Sequence, residues 1–149
     1  LFNHANHHDA QIACIHAGWQ GLTQGIIENT HEKFYDKHNM KAVIGACIGH
    51  INYEIDKTLA HDIITQVVDK KLVALRYDEL YQQIITDKGD KCLMDMVKLA
   101  QLQLVHLNIA LINDNPPCSY ANPKYYSYRQ QIHAKKSATG RMATVIVKL

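Results

Sequence analysis

Apolar positions recur along this chain with two different periods, and the alternation between them predicts its elements. Leu1-Phe2 reads as the end of a buried strand, Ala5 to Asp9 as a polar connection, and Gln11 to Ala17 as a second short buried strand. Gly18 and Gly21 bracket Trp19-Gln20 and mark a tight turn into a helix. In that helix Leu22, Ile26, Ile27, Thr30 and Phe34 recur three and four residues apart, while Glu28, His31 and Glu32 face away. The polar stretch Asp36 to Asn39 ends it.

Lys41 to Ile48 is again strand-like and is closed by Gly49. Thr58 to Val68 predicts a helix with Leu59, Ile63, Ile64 and Val67 on one face. Asp69 to Asp90 gives helical fragments joined by polar turns. Lys91 to Leu107 gives the clearest helical pattern, through Leu93, Met94, Val97, Ala100, Leu104 and Leu107. Ile109 to Ile112 is a short strand, and Asn113 to Pro117 is a breaker in which two prolines forbid a helix. Tyr125 to Tyr128 and Met142 to Val147 predict two closing strands, rich in aromatic and β-branched residues. Helices and strands alternate first and strands dominate the end, so an α/β or α+β domain follows. Nothing repeats and no linker divides the chain, so residues 1–149 are read as one domain.

Composition narrows the function classes. Apolar residues at 47% and charged residues at 20% suit a packed globular domain rather than a disordered one. A net charge of +2, with no clustered Lys/Arg, argues against nucleic-acid binding. No apolar run approaches the roughly 20 residues that cross a bilayer, so no membrane role is expected. Cys14, Cys47, Cys92 and Cys118 are widely spaced without a Cys-x-x-Cys pair, and are read as reduced thiols of a cytoplasmic protein.

Ten histidines stand in the chain. His31, His38, His61 and His133 are expected at the surface. His4, His7 and His8 could hold a metal only loosely, because nothing fixes their spacing. His16 differs: it ends an apolar strand directly before Ala17-Gly18-Trp19, where a rigid strand aims a side chain and a glycine turn leaves room beside it. A core histidine and a site residue are both consistent with that position. Gly45 to Glu54 also ends a strand in a glycine-marked turn. There Cys47 and His50 could form a nucleophile and base, although a buried Cys47 accounts for the same pattern. Glu54, beside Tyr53, could bind a hydroxyl-bearing ligand or favour the start of the following helix. Arg129 and Arg141 flank the connection between the two closing strands and could meet across a hairpin as an anion site, or simply lie on the surface.

Three of these motifs, with a fourth before the last, together resemble one family. His16-Ala17-Gly18-Trp19-Gln20-Gly21 is similar to its His-Ala-Gly-Trp-Arg-Gly, and Gly45 to Ile55 to its Gly-x-x-Ile-Gly-x-x-x-Tyr-Glu-Val. Tyr126-Ser127-Tyr128-Arg129 and Thr139-Gly140-Arg141-Met142-Ala143 resemble its Phe-Ser-Tyr-Arg and Thr-Gly-Arg-Met-Ala ending, and Cys118-Ser119-Tyr120 the Cys-Thr-Tyr before it. The chain is identified in this way as resembling the C-terminal portion of the laccase-domain, or YfiH-type, proteins. The resemblance implies an α+β fold in a layered α/β/β/α arrangement, with mixed sheets flanked by helices. It implies a zinc-dependent purine nucleoside phosphorylase taking a purine nucleoside and phosphate, with adenosine deaminase and methylthioadenosine phosphorylase activities. Two other readings stay open: a copper-dependent polyphenol oxidase, and a non-catalytic regulatory module.

In the resembled family three side chains hold zinc, and only His16 has a counterpart here; the other two, a His and a Cys, are expected upstream of Leu1. The chain then begins just past the metal-binding Cys, and alone is expected to be metal-free and inactive. By the same resemblance His16, Arg129 and Arg141 are catalytic candidates, and Gln20, Tyr53 and Glu54 substrate-binding candidates. The chain departs from the pattern at Gln20, which replaces an Arg and removes a cation, at His50-Ile51-Asn52, which replaces a Pro-containing stretch, and at Gln130. The loop Gln131 to Ala138 is longer than the family's. These changes bear on substrate choice more than on the fold.

Overall fold

The computed structural model describes residues 1–3 and 10–147. The polar connection at Ala5 to Asp9 and the histidines His4, His7 and His8 lie outside them. The architecture is α+β. Two small sheets, one parallel and one antiparallel, pack with helices around a single apolar core.

Leu1–Asn3 run antiparallel to Gln11–Ala13, through Ala13 N–H to Leu1 C=O at 2.8 Å and Asn3 N–H to Gln11 C=O at 3.2 Å. On its other side Phe2 exchanges backbone bonds with Lys41 at 2.9 and 2.8 Å. Lys41 opens strand β1 (Lys41–Ala42), which pairs in parallel with β5 (Ala110–Leu111). The two apolar runs expected as full strands, 11–17 and 41–48, therefore extend alongside partners but form only short ladders. Beyond Ala42 the second run is held in two places. Asn113 accepts from Ile44 N–H at 2.8 Å and donates to Ile44 C=O at 2.7 Å. Cys47 then bridges Cys118 in parallel.

The expected helix over 22–34 is two helices, α1 (Trp19–Thr23) and α2 (Ile26–His31). Gly25 separates them in the left-handed region, φ +71°, a conformation open to glycine at little cost. The break turns α2 so that Ile27, Thr30 and His31 all face inward. His31, expected outside, is thus buried at 9% exposure.

Helix α3 (Lys57–Asp69) follows the short antiparallel strand β2 (Glu54–Asp56). Its Ala60, Ile63, Ile64 and Val67 are buried with the spacing of one helical face. Helix α4 (Tyr77–Ile84) starts where the Arg76 N–H donates to the Glu79 carboxylate at 2.9 Å, and leads into β3 (Ile85–Lys88). The expected long helix over 91–107 is instead β4 (Lys91–Met94) followed by α5 (Met96–His106). β4 is the central strand between β2 and β3, with Cys92 and Met94 turned into the core. Asp95 then caps α5 by accepting from Lys98 N–H at 2.8 Å, which starts a new helix where the apolar period alone continues an old one.

The closing strands are also corrected. Ser127 accepts from Gln130 N–H at 3.3 Å and caps helix α6 (Tyr128–His133), so the aromatic run passes into a helix. Met142 to Val147 is extended but joins no ladder, and it is mostly exposed. Among the described residues no helix is long and apolar enough to cross a membrane.

Candidate functional site

A cavity of about 760 Å³ opens where the segment 13–19, the run 42–48, α5 and the 126–129 segment converge. Its walls are chiefly apolar, from Ile44, Met96, Ala100 and Leu104, with His16, Tyr53, Ser127 and Arg129 among the polar exceptions. A mostly apolar pocket with a few convergent polar groups is the usual form of a small-molecule site.

Each polar group arrives there for a local reason. His16 ends the extended run and precedes Gly18, the N-cap of α1. A Cβ on Gly18 would lie 3.4 Å from His16 Nε2, which places the imidazole beside the start of the helix. The side chain is exposed and so can meet a ligand. Tyr53 follows a single 3-10 turn, His50–Asn52, that redirects the chain from the glycine turn into β2. Burial raises the pKa of its phenol, against the opposing charge of Arg129, and the group therefore stays protonated and able to donate.

Arg129 sits in the first turn of α6, immediately beyond the Ser127 cap. Its Nη1 donates to the Glu54 carbonyl at 2.8 Å, and its guanidinium carbon lies 5.2 Å from the centre of the Tyr53 ring. The fork is thus fixed on two sides while its other N–H groups remain for a ligand. Such an arrangement can bind an anion in the cavity mouth.

The remaining candidates lie elsewhere. Gln20 is exposed on α1 and is not among the cavity walls. The Glu54 carboxylate turns to the far side of β2, where Lys88 pairs with it at 2.8 Å and Lys91 at 3.6 Å. Lys88 first, by hydrogen bond and charge, then Lys91, hold that carboxyl below its ordinary pKa against some desolvation. Arg141 is exposed and its Nη1 reaches the carbonyl of its own neighbour Gly140 at 3.4 Å. No hairpin joins it to Arg129, because the segments expected as strands are a helix and an unpaired extension.

Cys47 and His50 do not form a nucleophile and base. Burial first, then the neighbouring Cys118 and Asp95, push the Cys47 thiol up to about 11, and the His50 Nε2 is buried without a hydrogen-bond partner. Ser127 was not singled out from the sequence as a site residue. Its signal was local: a serine three residues before Gln130 is a helix-start pattern, and that cap sets where Arg129 points.

Comparison with known proteins places these residues in a larger context. Residues 2–148 match the family model described as multi-copper polyphenol oxidoreductase laccase. The purine nucleoside phosphorylase YfiH of Shigella flexneri is 32% identical over 143 residues, which is 95% of this chain and 52% of that protein. Its namesake from Escherichia coli K12 is 31% identical over the same shares, and the Haemophilus influenzae purine nucleoside phosphorylase is 30% identical over 91% of this chain and 51% of its own. The chain thus spans about half the length of the curated relatives it matches. A crystal structure of a Neisseria meningitidis protein assigned to DUF152 superposes with a TM-score of 0.60 at 22% identity, covering 77% of this chain and 44% of that one, which supports the fold.

Proposed function

The chain belongs to the multi-copper polyphenol oxidoreductase laccase family, and on that premise we propose that it supplies one wall of a purine nucleoside phosphorylase site. The observation that carries the reading is Arg129: a guanidinium anchored by the Glu54 carbonyl and the Tyr53 ring, at the edge of a nucleoside-sized apolar cavity. In phosphorolysis a phosphate oxygen attacks C1′ of the ribose while the C1′–N bond breaks and its electron pair leaves with the purine. Arg129 would hold the phosphate by two parallel N–H bonds and keep its charge beside C1′. The protonated Tyr53 phenol would donate to a ribose hydroxyl, and His16 would meet the substrate from the opposite wall. The reading rests on these three residues; Gln20, Glu54 and Arg141 keep their assignments only as candidates to be tested.

Zinc was implied by the resemblance, with His16 as its ligand. A catalytic zinc takes three protein ligands and one open position. Among the described residues no group of three His, Cys, Asp or Glu side chains comes together. These residues therefore do not make up a zinc donor set, nor the larger set of multicopper chemistry, and no step above runs through a metal. The chain by itself is expected to hold well under one zinc ion after dialysis, by elemental analysis; one tightly bound ion per chain contradicts this.

The activity test uses the natural full-length protein with inosine and adenosine, with and without phosphate. Phosphate-dependent release of base supports the reading, and inosine formed from adenosine without phosphate would show deamination instead. Arg129→Ala is expected to lower phosphorolysis about 10²-fold, as loss of one preorganised charged donor does. Unchanged phosphate dependence in Arg129→Ala would overturn its role, and the same outcome in Arg141→Ala would remove Arg141 from the candidates.

A further inference from the structure

Two of the four cysteines are neighbours across a backbone bridge. Cys47 N–H donates to Pro117 C=O at 3.2 Å and Ser119 N–H to Cys47 C=O at 2.7 Å, which makes Cys47 and Cys118 direct partners in a parallel pair. Partners on adjacent strands lie about 4.8 Å apart, inside the range of Cα separations, about 4.4–6.8 Å, that a disulfide spans. Both are free thiols in this structure.

Their surroundings differ in a way that assigns them different roles. The Cys118 sulfur accepts from Gly49 N–H at 3.2 Å, from the Asn52 amide at 3.4 Å and from Ala121 N–H at 3.4 Å. Three N–H groups converging on one sulfur favour the thiolate, which is the nucleophile. Gly49 makes the close approach possible, since a Cβ there would stand 3.2 Å from that sulfur. Burial alone would raise the Cys118 pKa, but the donated hydrogen bonds outweigh it and lower it. Cys47 has no such donors and lies in the cavity wall.

We propose that Cys47 and Cys118 form a peroxide-reactive thiol pair, with Cys118 the attacked sulfur and Cys47 the resolving one. The Cys118 thiolate attacks one oxygen of a hydroperoxide; the O–O bond breaks, its electron pair leaves with hydroxide or alkoxide, and Cys118 becomes a sulfenic acid. Cys47 then attacks that sulfur, and its thiol proton leaves with the displaced hydroxide as water, giving the disulfide. Overall two thiols and one hydrogen peroxide become one disulfide and two waters. The first step also prepares the second. After burial, the Cys118 charge is the next contribution that holds the Cys47 thiol protonated, and it vanishes when Cys118 becomes a neutral sulfenic acid.

The test treats the protein with hydrogen peroxide, blocks remaining thiols and maps tryptic peptides. Lysines 33, 41, 57, 91, 98 and 124 place the four cysteines in four separate peptides. The linked Cys47–Cys118 peptide is expected as the main oxidation product of the unmodified sequence, a readout that needs no variant to fold. In Cys47→Ser, Cys118 is expected to stop as a sulfenic acid captured by dimedone. Asn52→Ala is expected to slow alkylation of Cys118 by iodoacetamide about tenfold, the low end of what one hydrogen bond to a charged sulfur is worth, with Cys14 unaffected. Oxidation of Cys14 ahead of Cys118, or Cys118 oxidised in the unmodified sequence without a link to Cys47, overturns the proposal.

Discussion

Between Glu54 and His106 regular elements follow one another closely: β2 runs directly into α3 and α4 into β3, and Asp95 alone separates β4 from α5. Their inward side chains, Ile63, Ile64, Leu80, Ile84, Met94 and Leu99 among them, are completely or almost completely buried. The face that carries His16 and Arg129 is built otherwise. There two-residue strands, isolated bridges and single side chains such as Asn113 hold extended segments beside one another. One region takes its stability from area removed from water, the other from a small number of directional bonds. A rigid helical layer thus supports a face whose side chains remain open to a ligand, the usual division between scaffold and site.

The contrast is sharpest under substitution. Leu80→Ala removes a fully buried side chain from α4. It is expected to cost about 2–5 kcal/mol, as large-to-small changes in a close-packed core do. Urea unfolding measures it, and a loss under 1 kcal/mol would mean that the supposed core can collapse around the gap.

The same division explains what could be read in advance. Helix α3 was legible because Ala60, Ile63, Ile64 and Val67 repeat at helical spacing and nothing competes with that period. β4 was not, because Leu93 and Met94 happen to continue the period of α5, and only the Asp95 cap marks the boundary. The closing strands were misread for a similar reason: a β-prone composition around Tyr126 and Tyr128 yields to one capping serine, Ser127. At the candidate site, the glycine turns beside His16 and Tyr53 mark the two segments that reach the cavity wall. The separation of Arg129 from Arg141 was not, since it depends on how the segments pair, which local sequence does not encode. The direction of the Glu54 carboxylate likewise follows from strand alternation in β2, with Lys91 on the adjacent strand β4 and Lys88 on β3 beyond it.

A smaller effect is expected on the site face. Asn113→Ala deletes both hydrogen bonds to Ile44, whose backbone is partly buried beside the cavity. Two neutral hydrogen bonds are together worth about 1–3 kcal/mol. The loss should be concentrated locally: hydrogen exchange at Ile44 and its neighbours should quicken while α3 and α5 stay protected. Uniformly faster exchange would show that the two regions unfold as one unit and erase the distinction between them.

The smallest effect belongs to the side chain whose backbone carbonyl the site uses. Glu54→Gln removes the pairing with Lys88 and Lys91, yet it leaves the carbonyl that accepts from Arg129 in place. The carboxylate is partly exposed and its two lysine partners more so, and such surface ion pairs add little to stability. The sign of its pH dependence is nevertheless fixed. Because the lysines lower the Glu54 pKa, the pairing is present above the ordinary carboxylate range and disappears as pH falls through the lowered value. The thermal midpoint of Glu54→Gln at neutral pH should therefore match that of the parent, with phosphorolysis by the full-length protein also retained. A large loss of activity with unchanged stability would instead put the carboxylate itself in contact with substrate. The route from β2 to the cavity would then run through the Glu54 side chain rather than through its carbonyl and Arg129.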